Sequence, residues 1–296
     1  MSYTDPESEP PQQRPSWRMP MVVAGGALVV GGLVGWGVYA AGGGAAESGA
    51  AKPVAPSPPS VAPSADDKAA APLKGKVVVI DPGHNMDNFR HTAEINRQVD
   101  VGNGRKECDT TGTSTNDGYA EARFTLDVAH RLRALLERQG AAVRLTHDEK
   151  GPDWGPCVDE RAEIGNKAHA DAAISIHADG APVGDRGFHV ILPGAVHAGG
   201  ADTRPIVGPS RELGERIASD FRRVTGEPPS NYIGHGTALD TRTDLGGLNL
   251  STVPKVFIEC GNMRDDKDAA LLTSGSWRQK AAQGMSEGIV SFLRES

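Results

Sequence analysis

The sequence predicts an α/β fold: a mostly parallel central sheet with helices on both faces, folded as a single domain over residues 74–296. Two observations predict it. Short β-branched runs alternate with stretches of helical apolar periodicity, and isolated polar residues follow directly after the apolar runs. The formal charge of −7 argues against a basic nucleic-acid binder, and no nucleic-acid partner is expected.

Taken in order, Lys76-Val77-Val78-Val79-Ile80 is a buried strand stopped by the turn residues Asp81-Pro82-Gly83. Phe124, Val128, Leu132, Leu135 and Leu136 recur at helical spacing before Gly140, which predicts an amphipathic helix over 119–139. Residues 142–146 form the next strand, 161–169 a helix, and 172–176 a strand that delivers His177 at its C-terminal end. A strand over 187–192, a helix over 210–224, a strand over 255–259 and a helix over 276–294 complete the alternation. Residues 85–118 read as one long loop.

The front of the chain reads as an address. Residues 1–18 carry Arg14 and Arg18, and no charge follows until Glu47. The apolar part, 19–41, would span roughly 34 Å as a helix, enough for a bilayer core. The basic bias places 1–18 in the cytoplasm and the rest outside, with 19–41 a transmembrane anchor or a signal peptide cut after Val38-Tyr39-Ala40. Residues 42–73 are dominated by Ala, Pro, Gly and Ser, too poor in large apolar side chains to offset the entropy of ordering, and predict a disordered linker.

In an open α/β sheet ligands bind outside the carboxyl ends of the strands. There the sequence places His84, His177 and Glu259, with Glu121 on the first turn of the following helix. Two histidines and one carboxylate make a catalytic zinc set: three protein ligands, with a fourth position left for water. These ligands are scattered over more than ninety residues, so spacing alone does not fix their geometry.

The motifs resemble the zinc-dependent N-acetylmuramoyl-L-alanine amidases of the AmiC/CwlV type, the amidase-3 family. The likeness covers roughly residues 76–293 and rests on five ordered blocks: Val-Ile-Asp-Pro-Gly-His at 79–84, Glu-Ala-Arg-Phe-Thr-Leu-Asp-Val-Ala at 121–129, Arg161 with Asn166, Ser-Ile-His-Ala-Asp at 175–179, and Val-Pro-Lys-Val-Phe-Ile-Glu-Cys-Gly-Asn at 253–262. The resemblance implies that His84, Glu121 and His177 bind one Zn2+ per catalytic domain and that Glu259 is the general acid/base. It implies hydrolysis of the amide joining N-acetylmuramic acid to L-alanine in peptidoglycan, in the cell envelope. Two other readings of the same residues are a catalytically idle peptidoglycan-binding or regulatory module and a zinc carboxypeptidase acting on the stem peptide.

The chain departs from the family pattern in two places. The glycine-rich segment that commonly follows the first histidine is replaced by Asn85, Met86 and Asp87, and Cys260 stands where an apolar residue is usual, as a small core hydrophobe. In an oxidising compartment Cys108 and Cys157 are expected to pair. Asp81, Arg161, Asn166, Asp179 and Asn262 are read as structural first, some orienting ligands; His235 and the segment 242–249 are read as solvated loop first, with the lining of a substrate groove as the alternative. Residues 193–209 lack helical periodicity, which argues against a built-in blocking helix and leaves control to an envelope partner not identified by sequence.

Overall fold

The computed structural model describes residues 71–295; the segment 1–18 expected in the cytoplasm, the span 19–41 expected as an anchor or signal peptide and most of the expected linker lie outside the described residues. Leu73, assigned by sequence to the end of the linker, is instead fully buried, and its N–H donates to Gln139 O. No helix among the described residues is long and apolar enough to cross a membrane.

The elements run β1 (Val77–Pro82), α1 (Thr92–Ile95), β2 (Gln98–Asp100), β3 (Arg105–Glu107), α2 (Glu121–Arg138), β4 (Ala142–Leu145), α3 (Val158–Lys167), β5 (Ala172–Asp179) and β6 (His189–Pro193). Then come β7 (His197–Ala198), β8 (Ala201–Asp202), α4 (Arg204–Thr225), β9 (Leu239–Arg242), α5 (Gly246–Asn249), β10 (Lys255–Asn262), α6 (Asp266–Leu272) and α7 (Gly275–Glu295). Six strands form the central sheet in the order β4-β1-β5-β10-β6-β9. The first four are parallel; β6 runs antiparallel to β10, and β9 follows β6.

Strand alternation divides the sheet into two chemically different faces. Val78, Ile80, Ile174, Ile176, Val256 and Ile258 pack into one core with Phe124, Leu132 and Leu136 of α2, Ile217 and Phe221 of α4, and Ile289 of α7. Each such side chain contributes about 1.5–3 kcal/mol on burial. Helices α4 and α7 meet at Gly288, where a Cβ would lie 2.6 Å from the Ile217 Cα, so only glycine permits that approach. The opposite face carries Asp81, Ser175, His177, Lys255, Phe257 and Glu259, in register across β1, β5 and β10.

Four sequence expectations change. Strands β5 and β10 continue to Asp179 and Asn262, past the ends at 176 and 259 that the sequence predicts, so His177 lies inside its strand rather than just after it. Helix α3 starts at Val158, where the Glu160 carboxylate accepts from the Cys157 N–H. Helix α4 starts at Arg204, six residues before the apolar signal: Pro205 stands in the first turn, where no N–H partner is required, and Pro209 lies on the exposed side. Segment 85–118 is a short helix and the β2–β3 hairpin rather than a plain loop.

A disulfide joins Cys108, just after the hairpin, to Cys157 at the start of α3, and both residues are buried. Cys260 is a buried free cysteine within the main core.

Candidate metal centre

His84 ends the β1 turn in a left-handed conformation, φ +63°, which a side chain rarely adopts without compensation. That compensation comes from Arg161 on α3, whose guanidinium donates to Pro82 O at 2.6 Å and His84 O at 3.1 Å. Gly83 N–H donates to Ile176 O, tying the turn to β5. A Cβ on Gly83 would lie 2.3 Å from Cε1 of His177, so glycine is what lets the turn pass beside that ring.

Glu121 opens α2 and is 4 % exposed. Its Oε2 accepts from Thr113 N–H at 2.9 Å and its Oε1 from Ala178 N–H at 3.2 Å. The same Oε1 lies 3.2 Å from His84 Nε2 and 3.1 Å from His177 Nδ1. Ligand-capable atoms of His84, Glu121 and His177 all lie within 4.8 Å of one another, and they form the one such group found among the described residues. The three residues are thus a candidate metal site.

The outer ring nitrogens are also engaged. His84 Nδ1 faces Thr110 O at 3.1 Å, with Asp109 Oδ1 at 3.6 Å, and His177 Nε2 meets Ser175 Oγ at 3.1 Å. A carbonyl oxygen only accepts, so His84 has a proton on Nδ1, and Nε2 is the nitrogen turned towards the cluster. Phe257 stacks on the His177 ring with centroids 5.1 Å apart.

The electrostatics follow from burial and neighbours. Burial opposes charge on His84, but Glu121 and Asp109 outweigh it and hold its pKa well above the usual histidine value. Burial also opposes the Glu121 anion, while His84 and His177 keep its carboxyl below the usual range. Glu259 goes the other way: burial, then the negative charges of Glu121 and Asp179, push its pKa well up.

Glu259 lines the same cavity of about 280 Å³ as His84, Glu121 and His177. Its Oε2 is buried and has no hydrogen-bond partner. A second cavity, about 270 Å³, shares His84 and His177 and is walled by Phe257, Arg242 and Leu245. Arg242 and residues 244–247 line the second cavity, the alternative reading of that segment, whereas His235 is exposed and lines neither cavity. Asn166 and Asn262 brace loops, donating to Leu250 O and to Ala181 O respectively. Asp179 accepts from the Tyr232 hydroxyl at 2.8 Å. Sequence reasoning missed Asp109, Thr113, Ser175 and Lys255; of these only Lys255, a lone charge opening an apolar strand, gives a visible signal.

A parallel α/β sheet whose strand ends gather two imidazoles and a carboxylate, with a second carboxylate alongside, defines the hydrolase class with a candidate metal centre. The chain belongs to the amidase-3 family, N-acetylmuramoyl-L-alanine amidase, whose model matches residues 78–291. An N-acetylmuramoyl-L-alanine amidase of Mycobacterium tuberculosis is 41% identical over 235 residues, which span 78% of this chain and 91% of that relative. The crystal structure of the amidase Ami1 from Mycobacterium smegmatis superposes with a TM-score of 0.68 at 40% identity, covering 76% of this chain and 99% of that one. The AmiC2 amidase of Nostoc punctiforme, at 20% identity and a TM-score of 0.55, shares the fold over 75% of this chain and 98% of its own. The protein is a peptidoglycan amidase that hydrolyses the bond between N-acetylmuramic acid and L-alanine, and it acts outside the cytoplasm.

Proposed function

We propose that His84, Glu121 and His177 hold a zinc ion and that Glu259 is the proton-transfer group of the amidase reaction. The observation that carries this is the convergence of one ligand-capable atom each from His84, Glu121 and His177 within 4.8 Å of one another, with Glu121 Oε1 3.2 Å from His84 Nε2 and 3.1 Å from His177 Nδ1. Two imidazoles and one ionised carboxylate are a donor set suited to catalytic zinc. Bound zinc supplies a Lewis acid that polarises the amide carbonyl and brings the pKa of water towards about 7.

The remaining work belongs to the chain. Glu121, anchored by Thr113 N–H and Ala178 N–H, presents its carboxylate without having to reorganise. Glu259 takes the proton of the attacking water and returns it to the leaving amine nitrogen, one carboxylate serving both transfers. Its unpartnered Oε2 and its place in the shared cavity support that role. Phe257, Arg242 and residues 244–247 line one side of the site.

The uncharged run 19–41, preceded by Arg14 and Arg18, supports the further reading that the N-terminal segment addresses the chain to the membrane, with residues 74–296 as the catalytic domain outside. Incubating the protein with a defined muramoyl-peptide and analysing products by mass spectrometry tests the chemistry. Release of intact stem peptide, lost on chelation and restored by zinc, is expected; loss of a terminal amino acid would instead make it a carboxypeptidase. Activity that survives complete metal removal would overturn the zinc assignment.

A further inference from the structure

Lys255 is 2 % exposed, a lysine sealed inside the sheet on the face that carries the candidate metal centre. Its Nζ lies 3.3 Å from Asp81 Oδ2, on the strand two places away and 174 residues earlier in the chain. A buried ammonium is costly unless paired, and burial pulls the Lys255 pKa below the usual lysine value against the pull of Asp81. A position so expensive calls for a reason beyond packing.

The reason emerges when the hydrogen bonds are followed outward from Asp81. Arg161 donates to Asp81 Oδ1 at 2.8 Å and to Asp109 Oδ2 at 2.8 Å, and all four residues are at most 6 % exposed. Two cations and two anions therefore form a buried, charge-balanced chain, Lys255–Asp81–Arg161–Asp109. Burial works against the Asp81 carboxylate, yet Lys255 and Arg161 together hold its pKa far below the usual range. An ionised Asp81 only accepts hydrogen bonds.

Ser175 Oγ lies 2.9 Å from Asp81 Oδ2 and 3.1 Å from His177 Nε2. With Asp81 able only to accept, the Ser175 hydroxyl proton points to it. The Ser175 oxygen must then accept from His177, which places a proton on Nε2 and makes Nδ1 the nitrogen that faces Glu121. The other end of the chain reaches His84, whose Nδ1 lies 3.6 Å from Asp109.

We propose that Lys255 is a positioning residue for the metal centre: with Arg161 it holds Asp81 as the acceptor that orients Ser175, which in turn sets the ring and tautomer of His177. The inference rests on His84, Glu121 and His177 being the zinc ligands. Outer partners of ligating histidines typically change metal affinity by about 10–100-fold.

The test is zinc affinity of the full-length chain, measured by competition with a chromophoric chelator, for wild type, Lys255→Met, Ser175→Ala and the double variant. Far-UV circular dichroism checks the fold of each. Ser175→Ala removes the link and one hydrogen bond to Asp81 but leaves both buried cations in place, so it reports even if Lys255→Met fails to fold. Each single variant should bind zinc at least about tenfold more weakly, and the cobalt-substituted protein should show an altered visible absorption band. The double variant should be no weaker than the worse single one, because both act through one path. Affinities and cobalt spectra equal to wild type in the folded single variants, or fully additive losses in the double variant, would overturn the proposal while leaving zinc binding intact. Failure of wild type to bind zinc would overturn the metal-centre reading itself and this inference with it.

Discussion

Glu259 stands directly beside His177, its register partner across the parallel β10–β5 pair. The two side chains leave the sheet on one face, so the proposed proton carrier is held at a fixed distance from a proposed ligand by backbone hydrogen bonds, not by a loop. A group so placed can serve the site without joining the ligand cluster, which contains His84, Glu121 and His177 only.

Glu259→Gln should therefore keep zinc and lose turnover, by roughly 100- to 10,000-fold, the usual worth of a positioned acid/base. Metal content by mass spectrometry and kcat on a muramoyl-peptide check the two halves separately. Loss of metal in this variant would make Glu259 a ligand, and preserved kcat would remove it from the reaction.

Gly83→Ala should damage the metal site without touching a ligand. The new Cβ would sit 2.3 Å from Cε1 of His177, a separation that forces either the ring or the β1 turn to move. Zinc retained after dialysis should fall, with affinity weaker by about tenfold or more. A variant that holds zinc as well as wild type would show that the ring has room to retreat.

The Cys108–Cys157 bridge closes a separation of 49 residues, for which the chain-entropy relation gives about 4 kcal/mol. The double Cys→Ser variant should unfold at lower denaturant by that order, and the wild type should respond to reductant in the same way. Because Asp109 follows Cys108 and Arg161 belongs to the helix that Cys157 starts, zinc affinity should also decline. Identical unfolding midpoints with and without the bridge would contradict the expectation.

Glu227 predicts a pH effect remote from the site. It is 2 % exposed, and burial together with the Asp268 anion pushes its pKa from 4.5 up to about 7, against the opposing pull of Arg186. The folded state thus holds this proton more tightly than the unfolded chain. The resulting stabilisation is complete below about pH 4.5 and is lost as the pH rises through about 7. Between pH 5 and pH 8 the Tm of Glu227→Gln should fall less than that of wild type. Parallel Tm curves would place the titration elsewhere.

The sheet and the four central side chains were legible because each is written locally. Val77–Ile80, Ala172–Ile176 and Val256–Ile258 are largely apolar runs, and a polar residue at the end of such a run has few purposes. The support around them was not legible. Ser175 is hidden inside an apolar strand, and Lys255 finds Asp81 only through the strand order. Asp109 becomes relevant only once the hairpin and the bridge bring it to Arg161. The early start of α4 is hidden for a different reason: residues 204–209 show no helical periodicity, and they include Pro205 and Pro209, which the first turn and a solvent-facing side both accept.

Leu73 is buried at the end of β1 where the strand begins, and His84 lies just beyond the end where it finishes. Six residues of extended chain separate these poles by roughly 20 Å. The described chain thus joins the core at the pole of β1 opposite the candidate metal centre, so a change at Leu73 is felt first at the C-terminal end of α2, where its N–H donates to Gln139 O, and not in the cleft.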